Sequence, residues 1–273
     1  MKTQAEKALA FQALHEGSGA FIIPNPWDKG TARLLAQVGF AALATTSAGY
    51  AFSLGQQDLT IGRDQMITHV ADIVSATELP VSADLENGFG DAPETVAETI
   101  RLAAATGLVG GSIEDGTNRS DKPIYDHEWA VERVRAAAEA ARSLPFPFML
   151  TARAENYLVG RPDLKDTIKR LQAYQEAGAD VLYAPGLGTR EEIAAVVRSV
   201  DRPVNVIMGR LGLQLSQADL SAMGVKRISV GSALSRAALG AFLRAAWEMQ
   251  AKGTFDFVTE AVSFHDISAM FET

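Results

Sequence analysis

A chain of 273 residues exceeds one small domain yet fits a single α/β barrel, which typically needs about 250 residues. Its composition, 47% hydrophobic and 21% charged, excludes the disordered, collagen-like and low-complexity classes. A net charge of -8, from 25 Lys+Arg against 33 Asp+Glu with no basic block, argues against nucleic acid or an anionic membrane as partner and leaves a small molecule. The absence of cysteine excludes disulfides, thiolate metal sites and thiol catalysis.

The N-terminal stretch carries Glu6, Lys7 and Glu16 among its apolar residues, so neither a signal peptide nor a membrane span is expected, and the protein reads as cytoplasmic. Short apolar or β-branched runs then recur at 21–23, 41–45, 80–83, 109–113, 146–151, 181–183, 203–207 and 227–230, giving eight candidate strands. Between them lie apolar residues at helical spacing, such as Val96, Ile100 and Ala103, or Ile168, Leu171 and Ala173. This alternation implies a parallel sheet. Gly39, Gly107, Gly178 and Gly224 each close a helical stretch just before a strand, where a positive φ is free of steric cost.

The unbroken repeat predicts one α/β domain over 1–273: a (β/α)8 TIM-type barrel over about 20–252 and a helical tail over about 253–273. A doubly wound open sheet is the alternative, but no G-x-G-x-x-G follows the first strand. Residues 233–252 read as one long helix with Leu234, Ala238, Phe242 and Ala245 in a stripe. The aromatic-rich segments 255–262 and 264–271 beyond it predict packing on the barrel or on a neighbouring subunit, hence a homo-oligomer, dimer or tetramer.

In such barrels the chemistry collects at the C-terminal ends of the strands. Thr45-Thr46-Ser47-Ala48-Gly49 and then Asp58 follow the second candidate strand, Asp84-Leu85-Glu86-Asn87-Gly88 the third, Glu114-Asp115 the fourth and Arg153-Ala154-Glu155-Asn156 the fifth. Asp84 and Glu86 share one side if extended geometry persists past the strand, and with Asp58 and Glu114 as many as four carboxylates face one mouth. Two carboxylates about 5 Å apart at an effective dielectric near 20 repel by roughly 3 kcal/mol, so the cluster needs a cation or protonation. All-oxygen ligands without cysteine favour Mg²⁺, or Mn²⁺, over zinc, with one or two carboxylates binding directly and the rest through water. Singly, each acidic residue could instead cap the next helix or pair with a surface cation.

Arg153 would aim a guanidinium at the same mouth, suited to a carboxylate or phosphoryl group, or would pair with Glu155 or Glu114. The turn from Thr45 to Gly49 reads as a backbone anion nest or as a tight turn without a ligand. His15, His69 and His265 read as structural or solvent-facing, and His127 as a helix-start residue.

Asp58, Asp84-Leu85-Glu86-Asn87-Gly88-Phe89-Gly90, Ile113-Glu114-Asp115 and Thr151-Ala152-Arg153-Ala154-Glu155, in this order and spacing, resemble the isocitrate lyase/phosphoenolpyruvate mutase superfamily. The likeness runs from about Phe21 to Ser232 and is greatest to its phosphonomutase-like branch. It implies an α/β barrel using Mg²⁺ to bind an α-oxo acid or its enolate, in tetramers that exchange the last barrel helix. It also implies that Asp84 is the direct metal ligand, with Asp58, Glu86 and Glu114 acting through water. Thr45, Thr46, Ser47, Ala48, Asp84, Arg153, Glu155 and Asn205 become the substrate-binding set, and Arg153, Glu114, Asn118 and Arg119 the catalytic one.

Three departures bear on the activity. The lyases that cleave isocitrate or methylisocitrate carry a Lys-Lys-Cys-Gly-His loop after the Glu-Asp pair, where this chain reads Gly116-Thr117-Asn118-Arg119-Ser120-Asp121-Lys122-Pro123, without a thiol. The mutases place a Lys and an Asn in that loop at a spacing that Asn118, Arg119 and Lys122 do not reproduce. Relatives offer a His or Glu after the sixth strand, where Tyr183-Ala184-Pro185-Gly186 stands here. The expectation is therefore an Mg²⁺-dependent lyase that cleaves a C–C bond beside the enolate of a small α-oxo acid, or of its 2-hydroxy acid precursor, under a mobile lid at 116–125. A P–C bond mutase or hydrolase and a non-catalytic α-oxo acid binding protein are the alternatives.

Overall fold

The structure, a computed structural model, describes residues 2–210 and 212–272. Helix α1 (Gln4–Glu16) comes first, opened by a reciprocal capping box between Thr3 and Glu6. Its Ala8 and Phe11 pack on Ile23, Ala42, Val109, Met149 and Val181, residues at or near the ends of five strands, and so plug the N-terminal end of the barrel.

The strand and helix alternation is as the hydrophobic pattern predicts. It runs β1 (Phe21–Ile23), α2 (Lys29–Val38), β2 (Leu43–Ala44), α3 (Ser47–Ser53), α4 (Arg63–Ser75), β3 (Val81–Asp84), α5 (Pro93–Ala105), β4 (Gly110–Glu114) and α6 (His127–Arg142). It continues through β5 (Met149–Arg153), α7 (Leu164–Ala177), β6 (Val181–Tyr183), α8 (Arg190–Arg198), β7 (Val204–Ile207), α9 (Gln217–Ala222), β8 (Arg227–Ser229) and α10 (Ala233–Lys252). A 3-10 turn (Asp256–Glu260) and α11 (Phe264–Ala269) end it.

All eight strands are parallel, in the order β1-β8-β7-β6-β5-β4-β3-β2. Pairing of the first strand with the last overturns the open doubly wound alternative, in which they would lie apart. The remaining seam is bridged by a hydrogen bond from Ala44 N–H to the Pro24 carbonyl at 3.0 Å. Asn25 reinforces it: its Nδ2 donates to the Thr45 carbonyl, and its Oδ1 accepts from the N–H groups of Val230 and Gly231, each at 2.9 Å.

Several strand boundaries differ from expectation, those of β3, β4 and β5 for identifiable reasons. Strand β5 starts at Met149 rather than 146, because Pro147 has no N–H to give a ladder. Strands β3, β4 and β5 run on to Asp84, Glu114 and Arg153, so these three residues end strands rather than begin loops. Gly39 and Gly178, at φ 98° and 109°, close α2 and α7 in the left-handed region as expected. Helix α10 is one unbroken helix, yet Ser235 is its one buried residue; Leu239, Phe242, Leu243 and Trp247 are exposed. Among the described residues no helix is long and apolar enough to cross a membrane.

Candidate active site

Because β3, β4 and β5 are neighbours, their last residues converge at one mouth. The register pairs Glu114 directly with Arg153. Arg153 donates from Nη1 to Asp84 Oδ1 at 2.9 Å and from Nε to Glu155 Oε1 at 2.8 Å, and its Nη2 lies 3.0 Å from Glu114 Oε2. Sequence reasoning allowed Glu155 or Glu114 as a partner for Arg153, and the structure uses both together with Asp84. The guanidinium also lies 5.3 Å from the centre of the Tyr183 ring.

The second oxygen of Asp84 faces the turn after β2. Ser47 donates to Asp84 Oδ2 from Oγ at 3.0 Å and from its N–H at 3.4 Å, and Ser47 Oγ also lies 3.2 Å from Asp58 Oδ1. Thr45 Oγ1 accepts the Asp84 N–H at 2.9 Å. Thr46 caps α3 by accepting the Gly49 N–H. The turn is the start of α3, where Asp84 itself takes the Ser47 N–H. Thr45, Thr46, Ser47 and Ala48 all line the cavity above it, which has a volume of about 630 Å³.

Five carboxylates, Asp58, Asp84, Glu86, Glu114 and Glu155, surround the one guanidinium of Arg153. Burial raises the Glu114 and Glu155 carboxyls above their ordinary value, against the attraction of Arg153. Partial desolvation at the exposed rim, then the charge of Asp84, push Asp58 up. Burial followed by Asp84 and Asp58 lifts Glu86 to about 8. Burial works against the Arg153 cation, but Glu114, Glu155 and Asp84 more than offset it and hold it well above its usual value. Such acid excess stores repulsion that a cation would relieve.

Glu86 departs from the extended geometry that would have placed it beside Asp84. Strand β3 ends at Asp84, and Glu86 has φ 48°, so its side chain lies buried behind the cavity wall with Oε1 unpartnered. Among the described residues no three acidic or histidine side chains converge closely enough to hold a metal unaided, since Arg153 stands between Asp84, Glu114 and Glu155. The donor set does fit a hydrated hard cation held by one carboxylate directly and by the others through water. Asp84 lines the cavity together with Asp58, Glu114 and Glu155, Asp58 sits across the Ser47 hydroxyl from Asp84, and Glu86 Oε1 lacks a donor.

The loop at 116–125 forms a flap. Gly116 bridges to Ile124 at its base, and Thr117 N–H donates to the Pro123 carbonyl at 3.0 Å. Asn118 and Arg119 sit at the exposed tip, over the cavity, but Arg119 pairs with Asp91 at 2.7 Å, outside the carboxylate cluster. Asp115 is structural: buried between β4 and β5, it accepts the Glu155 N–H at 2.8 Å and pairs with Arg170 at 3.1 Å. Of the histidines, His15 and His69 are buried, and His127 opens α6.

Deeper in the barrel, Asn205 meets a residue sequence reasoning missed. Arg227, first in β8, is only 5% exposed and donates from Nε to Asn205 Oδ1 and from Nη2 to Thr151 Oγ1, both at 2.9 Å. Nothing local in Arg227-Ile228-Ser229-Val230 marks the arginine as reaching across the barrel.

Residues 11–250 match the family model of phosphoenolpyruvate phosphomutase. The chain belongs to the phosphoenolpyruvate phosphomutase family. It is 68% identical, with a TM-score of 0.97, to the crystal structure of a Burkholderia cenocepacia J2315 protein assigned only broadly, as a lyase/mutase; 98% of this chain and 97% of that one are covered. It is 31% identical over 244 residues to an uncharacterized Mycobacterium tuberculosis protein, covering 87% of this chain and 88% of the relative. The structure of a 2,3-dimethylmalate lyase superposes with a TM-score of 0.86 at 27% identity, over 99% of this chain and 95% of the lyase. The superfamily resemblance of the sequence is therefore borne out, and the barrel is the fold of this solved relative.

Proposed function

We propose that this family member is an Mg²⁺-dependent lyase that binds a small α-oxo acid, or a 2-hydroxy acid precursor of one, at the mouth of the barrel and cleaves the adjacent C–C bond. The observation that carries this reading is the clamp on Arg153 beside Asp84: strand-end carboxylates fix one guanidinium at the edge of an acid-rich cavity. Asp84 would hold Mg²⁺ directly, with Asp58, Glu86 and Glu114 acting through water, and the bound ion would supply Lewis-acid polarisation of the substrate oxygens. A 2,3-dimethylmalate lyase of the same fold supports C–C cleavage.

The chain's own residues then have separable roles. A guanidinium has five N–H donors, and the clamp hydrogen-bonds those facing Asp84 and Glu155 and sets Nη2 beside Glu114, so Arg153 keeps donors in a fixed plane for a substrate carboxylate. Thr45 and Ser47 hold Asp84 in place through its N–H and Oδ2. Glu114, whose carboxyl burial raises well above its ordinary value, is the proton carrier at this mouth, in place of the absent thiol. Asn118 and Arg119 at the flap tip exclude water when the flap closes. The exposed apolar side of α10 supports a homo-oligomer.

Turnover with Mg²⁺ tests the reading, followed by NMR with 2,3-dimethylmalate, oxaloacetate and phosphonopyruvate. Cleavage of a carbon acid with phosphonopyruvate untouched is the expected result. Turnover of phosphonopyruvate alone would move the assignment to P–C chemistry, and binding without any turnover would make the protein an α-oxo acid binder.

A further inference from the structure

The geometry points to a second anion-binding subsite on the floor of the same cavity, in which Arg227, oriented by Asn205 and Thr151, receives the distal carboxylate of a short dicarboxylic acid. The inference rests on the reading of the mouth above and adds to it the class of substrate: a diacid rather than a simple oxo acid.

Arg227 is the reverse of Arg153. Arg153 sits among carboxylates, whereas every protein group that binds the Arg227 side chain is neutral: Asn205 Oδ1 at Nε and Thr151 Oγ1 at Nη2. Its Nη1 is buried and has no acceptor among the described residues. Burial alone lowers the guanidinium to about 10, with Tyr183 the one group opposing the shift. A buried cation without a counter-charge is unfavourable, and one that lines a cavity can take the missing charge from a ligand.

The surroundings favour that ligand over a side-chain partner. His15, on the plugging helix, is held at about 3 by burial and by Arg227, so it is neutral and leaves the Arg227 charge unbalanced. Asn205 is fixed in turn by donating from Nδ2 to Ser229 Oγ at 3.0 Å. Barrel interiors are ordinarily filled by layers of bulky branched side chains. Here the cavity lining includes the small strand residues Ala44, Ser82, Ser112 and Ser229 alongside Asn205 and Arg227.

The vertical spacing fits a short diacid. Thr151, which binds Arg227, and Arg153 are two residues apart on β5, so their Cα atoms differ by about 6.6 Å along the strand. One carboxylate held at the mouth and a second pointing down the barrel would span that step.

The test compares oxalate, lactate and malate by calorimetry with Mg²⁺ present. Oxalate and lactate engage the mouth alone, and malate adds a distal carboxylate. The wild type should bind malate about ten-fold or more tighter than lactate, the effect of one charge-assisted hydrogen-bonded pair. Arg227→Met should bring that ratio close to one while oxalate binds both proteins alike. An unchanged malate-to-lactate ratio in Arg227→Met, or no malate preference in the wild type, would overturn the inference. Should Arg227→Met not fold, Arg227→Lys keeps the charge without the fork and should lose most of the preference; full retention would count against the subsite. Failure of oxalate to bind the wild type would sink the reading of the mouth instead. The floor is then read by whether succinate without Mg²⁺ raises the melting temperature of the wild type but not of Arg227→Met, and equal shifts overturn it.

Discussion

Arg153 Nη1 donates to Asp84 Oδ1 at 2.9 Å across the width of β4, tying the last residue of β5 to the last residue of β3. With Glu114 and Glu155 on its other edges, the guanidinium is the common counter-ion of three acids, two of them buried. Arg153→Met should therefore destabilise the fold by about 3–5 kcal/mol, because buried carboxylates lose their partner. Asp84→Asn keeps an acceptor for Arg153 and should cost about 1 kcal/mol or less. Urea unfolding of the two variants measures the difference, and equal losses would contradict the clamp.

Glu86 predicts how cation binding responds to pH. Burial and the charges of Asp84 and Asp58 raise it to about 8, so it is protonated at neutral pH in the free protein. A cation nearby favours the ionised form and expels that proton. Mg²⁺ affinity should accordingly rise with pH up to about 8 and level off above it. Glu86→Gln should flatten the profile. Calorimetry at neutral pH in buffers of different ionisation enthalpy counts the released proton, and none released would contradict the assignment.

Two buried histidines set the acid limit of the fold. Burial holds His15 at about 3 and His69, stacked on Tyr50 at 3.6 Å, at about 4. In the unfolded chain both titrate near 6.5. Their folded pKa values are depressed, so the unfolded state binds more protons below about 6.5, and stability falls as the pH drops through that value. At about pH 5 each should cost roughly 2 kcal/mol relative to neutral pH. Denaturant midpoints across this range test it, and His69→Phe, which keeps the stacking on Tyr50, should remove part of the slope.

The exposed side of α10 predicts self-association. Phe242 and Trp247 are 66% and 62% exposed on a helix that buries Ser235 alone, and Phe255, Val258 and Phe264 beyond it are exposed as well. Light scattering should give a dimer or tetramer, and the double variant Phe242→Glu, Trp247→Glu should give a monomer.

How much of this was legible in the sequence depends on where each residue's constraints come from. The eight strands and the glycines closing α2 and α7 were legible because each follows from a local pattern, apolar period or left-handed φ. Asp84, Glu114 and Arg153 were legible as mouth residues because a parallel barrel brings strand ends together. The break in extended geometry at Glu86 was not legible, because a left-handed φ at a non-glycine residue is set by the loop around it. Arg227 was missed because its partners, Asn205 and Thr151, lie 22 and 76 residues away, and no local pattern distinguishes a barrel-crossing arginine from a solvent-facing one. Arg119 was read by its place in the flap, whereas its pairing with Asp91 depends on how the loop after β3 folds back.

The central claim, an Mg²⁺-dependent α-oxo acid site built on Asp84, is tested most directly by titrating oxalate into the wild type and Asp84→Asn, each with and without Mg²⁺. The account predicts binding to the wild type only when Mg²⁺ is present, and no binding to Asp84→Asn although it melts at nearly the wild-type temperature. Mg²⁺-independent binding, or binding retained in Asp84→Asn, would contradict it.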